Sequence, residues 1–135
     1  MKEFILNENE LELLIKNLKS VGIYLLCGTL ASGKTSLVKA WLKYLGYENL
    51  INSPTFSIMQ TYELNSKKIY HYDIYQQGFD GLLKNGLVEN FFEDGLHLVE
   101  WGDEKLLKYL KKFNLNVKKI EISHLKNKRK YEIYE

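Results

Sequence analysis

Residues Gly28-Thr29-Leu30-Ala31-Ser32-Gly33-Lys34-Thr35 fall into the pattern G-x-x-x-x-G-K-[ST]. Each fixed position has a physical task. Glycines let the backbone turn so that successive N–H groups converge on an anion. A helix starting near Gly33 adds the positive end of its dipole. The Lys34 ammonium would meet the β- and γ-phosphates as a compact charge, and the Thr35 hydroxyl would hold Mg²⁺. Ala31, Ser32, Gly33, Lys34, Thr35 and Ser36 are therefore the candidate contacts for a nucleoside triphosphate.

A loop of this kind works with acidic groups delivered by neighbouring strands. Two stretches end in an acid, Ile69-Tyr70-His71-Tyr72-Asp73 and the more apolar Leu96-His97-Leu98-Val99-Glu100. A carboxylate in either place can ligate Mg²⁺ directly, ligate it through water, or orient an attacking water. Spacing alone does not divide these roles between Asp73 and Glu100. Trp101 follows Glu100 and is positioned to stack on a base or pack beside the nucleotide. His71 and His97 lie within strands and read as packing residues, and His124 as an exposed residue of a hairpin turn. Cys27 reads as a packing residue, and no His/Cys spacing suggests zinc.

The surrounding pattern supplies the elements that such a loop needs. Val21–Cys27 is short and apolar between Gly22 and Gly28, as a buried strand would be. Leu37, Val38, Trp41, Leu42 and Leu45 recur at helical spacing, and Gly46 is a helix stop. Leu11, Leu14, Ile15 and Leu18 predict a helix over 8–19. Phe56–Leu64 and Lys68–Tyr75 predict two strands turning at Asn65-Ser66. The glycine-punctuated stretch 77–95 predicts short helices, Leu96–Trp101 a buried strand, and Asp103 a cap for a helix reaching about Lys112. Val117–Ile122 and Arg129–Tyr134 alternate as a closing hairpin. Strands mixed with helices in this order predict an α/β domain of three layers around a mixed sheet, a P-loop NTPase-like fold.

The 135 residues fit one domain spanning 1–135. A lone cysteine fits a reducing compartment. No apolar run approaches the ~20 residues of a membrane span, so a cytoplasmic protein is expected. The net charge of +2 hides an asymmetry: residues 105–135 carry ten Lys/Arg against three acids, and residues 1–104 nine against fourteen. A basic C-terminal quarter is either a solvated lysine surface or a face toward RNA or an acidic partner. Arg129 is the only arginine. An arginine-rich lid of the kind small-molecule kinases use cannot be built from it. Without an arginine in the active site, hydrolysis by the chain alone is expected to be slow. Asn127-Lys128-Arg129-Lys130 lacks the aspartate of a guanine-reading segment, which favours ATP.

The loop is followed by Ser53-Pro54-Thr55-Phe56, Tyr62, His71-Tyr72-Asp73-Ile74-Tyr75 and Glu100-Trp101. In this order, over about Leu11 to Trp101, the chain resembles the bacterial TsaE (YjeE) family. The resemblance implies a weak ATPase that uses ATP and Mg²⁺ and acts with TsaD-like and TsaB-like proteins. Those partners install the threonylcarbamoyl group on adenosine 37 of tRNA, so tRNA is met through the complex. Hydrolysis would reset that complex between rounds, and the transfer itself belongs to TsaD. Carried over by position, Lys34 contacts phosphates, Thr35 ligates Mg²⁺, and Asp73 and Glu100 supply the acidic functions, with Glu100 a metal ligand. Ser53–Phe56 resembles the switch-like loop near the γ-phosphate, with Thr55 offering its hydroxyl. Trp101 lies by the nucleotide, and Arg129 matches a basic hairpin residue that approaches it.

The chain departs from the family pattern at Thr29, Ala31 and Ser32, where Asp, Gly and Ala are usual, at Gln76, where Arg is usual, and at Glu10, where Thr is usual. A Cβ at Ala31 restricts any positive φ the loop requires. Two other readings stand beside the family one: a P-loop small-molecule kinase, and a nucleotide-sensing module that does not need hydrolysis.

Overall fold

The computed structural model describes residues 1–29, 31–47 and 58–135. The stretch Ser53–Phe56, with Thr55, lies outside the described residues. Seven strands form one sheet: β1 (Lys2–Leu6), β2 (Gly22–Gly28), β3 (Met59–Leu64), β4 (Lys67–Asp73), β5 (Leu96–Glu100), β6 (Val117–His124) and β7 (Arg129–Tyr134). Their order is β1-β7-β6-β2-β5-β4-β3. The four central strands β6, β2, β5 and β4 run parallel, and β7, β1 and β3 pair antiparallel at the flanks. All five residues of β5 are buried, which is why it reads as an apolar run rather than an alternating one.

Helices cover both faces. Leu11, Leu14 and Ile15 of α1 (Leu11–Ile15) and Leu37, Val38, Trp41 and Leu42 of α2 (Lys34–Tyr44) pack on one face with Tyr24, Leu26, Leu96 and Leu98. On the other face Leu82 of α3 (Gly78–Lys84), Val88 and Phe91 of a 3₁₀ segment, and Leu106 and Leu110 of α4 (Glu104–Lys112) cover Leu25, Tyr70, Tyr72 and Val99. Two apolar layers against one sheet give the three-layer α/β architecture that the element order predicts. Among the described residues no helix is long and apolar enough to cross a membrane.

Local chemistry sets the element ends. Gly46 takes φ +90°, its N–H bonds Lys43 O at 3.0 Å, and Tyr47 N–H bonds Leu42 O at 2.8 Å. These two bonds stop α2 in a Schellman arrangement. Asp103 Oδ1 accepts the Leu106 N–H at 2.8 Å and starts α4. Fully buried Trp41 packs tilted against Tyr24, with ring centroids 4.9 Å apart, and donates its indole N–H to Ser20 Oγ, fixing α2 to β2.

The structure departs from the sequence expectation in two places. The predicted helix over 8–19 is a 3₁₀ turn, Glu8–Glu10, followed by five α-helical residues. Asn17 shows why it ends early: its side-chain amide takes the Leu13 carbonyl at 2.8 Å, and the Asn17 and Leu18 N–H groups fall back to i−3 carbonyls. The edge strand β1 went unpredicted, because its partner is β7 at the far end of the chain.

His97 behaves as a packing residue. Its Nε2 faces the Glu93 carbonyl at 2.9 Å, which can only accept, so Nε2 carries the proton and Nδ1 accepts from Tyr72 Oη at 2.8 Å. Burial lowers its pKa below the ordinary value of 6.5. A depressed histidine pKa contributes stability that is complete above the unfolded value and lost as pH falls below it. The stability gap between wild type and His97→Gln should therefore narrow as pH drops below about 6.5, by at most ~1.4 kcal/mol per pH unit, in urea unfolding at stepped pH. A gap that widens would contradict this. Asn65 and Ser66 join β3 to β4 with φ +53° and +66°. Ser66→Gly should raise stability by about 0.5–1 kcal/mol, since a two-residue hairpin loop favours Asn-Gly. The check is a higher urea midpoint at unchanged slope.

Candidate functional site

Parallel pairing puts three chain segments at one edge of the sheet. β2 runs into the glycine-rich loop, β5 ends at Glu100, and β4 ends at Asp73, which is in register with Glu100. Ligand sites of open α/β sheets form at this carboxyl edge. A cavity of about 460 Å³ opens there, lined by the loop residues Ala31–Ser36 together with Asp73, Tyr75, Glu100, Trp101 and Arg129. The described candidate residues thus share one cavity, built from the loop and the start of α2, the ends of β4 and β5, and the start of β7.

The loop leads directly into α2, whose N-cap is Gly33. With no side-chain cap there, the first-turn N–H groups remain for an anion. Gly33 takes φ +113°, and a Cβ on it would stand 2.6 Å from Arg129 Nη1. The left-handed backbone is what favours glycine here, and the guanidinium lies against the open side of its Cα. Ala31 takes φ +59° despite its Cβ. Its carbonyl accepts from His124 Nε2 at 2.7 Å, so the last residue of β6 holds the loop from outside.

Lys34 is buried, and its Nζ curls back over the loop. It donates to Gly28 O at 3.0 Å, Thr29 O at 2.8 Å and Ser32 Oγ at 3.1 Å. It also lies 3.7 Å from the Trp101 ring centroid, a cation–π contact. Burial lowers its pKa from the ordinary value, opposed by the Glu100 carboxylate. An ammonium has three N–H donors and all three are engaged, so a phosphate oxygen must take the place of one acceptor.

Glu100 is the most constrained acid of the site. Its Oε1 accepts the Thr35 hydroxyl at 2.6 Å and its Oε2 meets His71 Nε2 at 2.6 Å. The Glu100 side chain is 4% exposed and that of His71 17%. Asp73 is exposed, and its Oδ1 accepts the Tyr75 N–H at 3.2 Å. Thr35 and the two carboxylates form an all-oxygen donor set, the chemistry that Mg²⁺ takes. Among the described residues no three His, Cys, Asp or Glu gather as a metal cage. A hard cation here would rest on Thr35, a carboxylate, phosphate oxygens and water.

Trp101 takes φ +67°, rare for a bulky side chain, and its N–H bonds Leu26 O at 2.9 Å. Its ring lies 4.6 Å from Tyr75 and presents a face to Lys34, at the loop end of the cavity.

Two expectations need correction. His71 is more than a packing residue: it contacts Glu100. The period-2 signal was present, because His71 lies two residues before Asp73 and shares its face of β4. The expectation of an active site without an arginine is also overturned. Arg129 lines the cavity, and its Nη1 is buried with no hydrogen-bond partner among the described residues. Tyr75 and His124 were missed altogether. His124 carries no local signal, since its place depends on pairing with Arg129 across the hairpin.

A mixed sheet with helices on both faces and a glycine-rich loop between β2 and α2 defines a P-loop NTPase-like α/β protein. The chain belongs to the TsaE family, whose model, threonylcarbamoyl adenosine biosynthesis protein TsaE, matches residues 6–132. It is 32% identical over 87 residues to the tRNA threonylcarbamoyladenosine biosynthesis protein TsaE of Haemophilus influenzae, covering 64% of this chain and 54% of the relative. To that of Rickettsia conorii it is 37% identical over 109 residues, covering 73% and 56%. To that of Aquifex aeolicus it is 34% identical over 111 residues, covering 76% and 78%. The chain thus spans little more than half the length of the first two relatives. Among solved structures it shares the fold of Bacillus subtilis YdiB, with TM-score 0.65 and 24% identity over 98% of this chain and 84% of that one.

A left-handed alanine costs roughly 1–2 kcal/mol, and glycine gives back 0.5–1 kcal/mol of that in entropy. Ala31→Gly should therefore raise stability by about 0.5–1 kcal/mol in thermal unfolding. A decrease would show that the loop does not hold φ +59°.

Proposed function

We propose that this chain binds ATP with Mg²⁺, hydrolyses it slowly on its own, and acts with TsaD-like and TsaB-like proteins in threonylcarbamoyladenosine modification of tRNA adenosine 37. One observation carries the nucleotide reading. The uncapped start of α2, the Lys34 ammonium and the Thr35–Glu100 pair converge on a single cavity. The tRNA pathway rests on membership of the TsaE family.

Each side chain has a role in this reading. The loop and the start of α2 surround the phosphates with N–H donors. Lys34 exchanges one loop acceptor for a phosphate oxygen. Thr35 gives its proton to Glu100, so its lone pairs are left for the cation. Thr35 and Glu100 would hold Mg²⁺, with Asp73 at the neighbouring strand end. The bound ion neutralises phosphate charge. Arg129 brings to the loop a guanidinium Nη1 that has no partner among the described residues, suited to an anion. Ser32, Ser36 and Trp101 complete the wall.

With Arg129 in the cavity wall, slow hydrolysis rests on the carboxylates rather than on a missing arginine. Glu100 is committed to Thr35 and His71 and would also hold the cation, so it is not the group placed to act as base for an attacking water. Asp73 is the exposed carboxylate that can face a water, and a partner protein would complete its surroundings. A kinase reading lacks its arginine-rich lid, since Arg129 is the only arginine.

Lys34→Ala should weaken ATP binding about 10–100-fold, the worth of a charge-assisted contact of ~1.5–3 kcal/mol. Wild-type turnover alone should stay well below the ~1–100 s⁻¹ of kinases. In a reconstituted tRNA modification assay, omitting the chain or ATP should cut multiple-turnover yield, and an undiminished yield would refute the pathway role. If Asp73→Asn ends hydrolysis while modification continues, nucleotide sensing replaces hydrolysis as the function.

A further inference from the structure

We propose that His71 is a positioning residue for the cation end of the site, holding Glu100 so that Thr35 keeps its orientation and Lys34 is not drawn into an ion pair with Glu100. The inference rests on the Mg-nucleotide reading above and extends it to a residue outside the expected contact set.

Glu100 and Lys34 carry opposite charges, line the same cavity and are both buried. Direct attraction would draw them into an ion pair, since Coulomb energy grows as water is excluded. That pair would remove the two charges the site needs to offer to different parts of its ligand. The structure has another arrangement. Glu100 hydrogen-bonds His71 instead, and Lys34 donates to Gly28, Thr29 and Ser32. His71 takes Oε2 while Thr35 takes Oε1, both at 2.6 Å, so the carboxylate is held at both ends and cannot swing about its side-chain torsions. The backbone makes this possible: β4 and β5 are parallel and in register at Asp73 and Glu100, so His71 reaches Glu100 diagonally from one strand over. A buried carboxylate also needs partners for both oxygens, and His71 satisfies the second.

The experiment titrates a ribose-labelled fluorescent ATP, first without metal and then against rising Mg²⁺. Removing an outer partner of a metal-holding group typically costs 10–100-fold. His71→Ala should raise the Mg²⁺ concentration needed for half-maximal tightening by at least about 10-fold. His71→Gln, which keeps an N–H donor, should recover most of that loss. In a Glu100→Gln background, adding His71→Ala should leave the Mg²⁺ midpoint unchanged, because His71 acts through Glu100. An unchanged midpoint in His71→Ala, or equal losses in the Ala and Gln variants, would overturn the inference. Failure of the wild-type chain to bind the labelled ATP would instead overturn the nucleotide reading, and the inference with it.

Discussion

Glu100 sits at the end of a fully buried strand, where its charge is largely withdrawn from water. An unpartnered carboxylate in such a place would carry an uncompensated desolvation cost and have no fixed position. Thr35 and His71 supply the missing hydrogen bonds, one to each oxygen. That double hold links the first turn of α2 to β5 and β4. The site is therefore a set of mutual constraints: the strand that delivers the acid also fixes the hydroxyl beside it.

The phosphate loop is held from its other side by the C-terminal hairpin. His124 and Arg129 are opposite each other where β6 and β7 meet the turn. One donates to the Ala31 carbonyl, and the other lies on Gly33. The hairpin thus supports a loop that contains an alanine where its left-handed backbone would favour glycine. Lys34 and Trp101 close the inner side through a cation–π contact. The order of strands, with β6 beside β2, is what brings the hairpin to the loop.

Much of this was legible in the residues alone. The loop pattern, its strand and its helix are local features: apolar period, glycine placement and a helix stop at Gly46 all act within a few residues. The α/β class followed from element order, and Asp103 as a cap followed from its side-chain chemistry. The early end of α1 did not, because Asn17 competes for a backbone carbonyl that apolar spacing does not register. Strand β1 was hidden because an edge strand takes its hydrogen bonds from wherever the sheet presents a free edge. The TsaE resemblance rested on motifs strung along the chain, and the family match over residues 6–132 agrees with it.

The sequence by itself determined that a phosphate-shaped loop exists here and that two acids are available to it, since both depend on residue type and short-range backbone freedom. Tertiary structure decided which acid meets Thr35, and it gave Glu100 its histidine. It also decided that the single arginine lies against the loop rather than far from it. These outcomes depend on strand order and register, which arise from pairing between segments far apart in the chain, such as Leu6 with Arg129 and Gly28 with Ile122. No local propensity encodes that pairing, so the partners of a buried charge become visible only once the sheet is assembled.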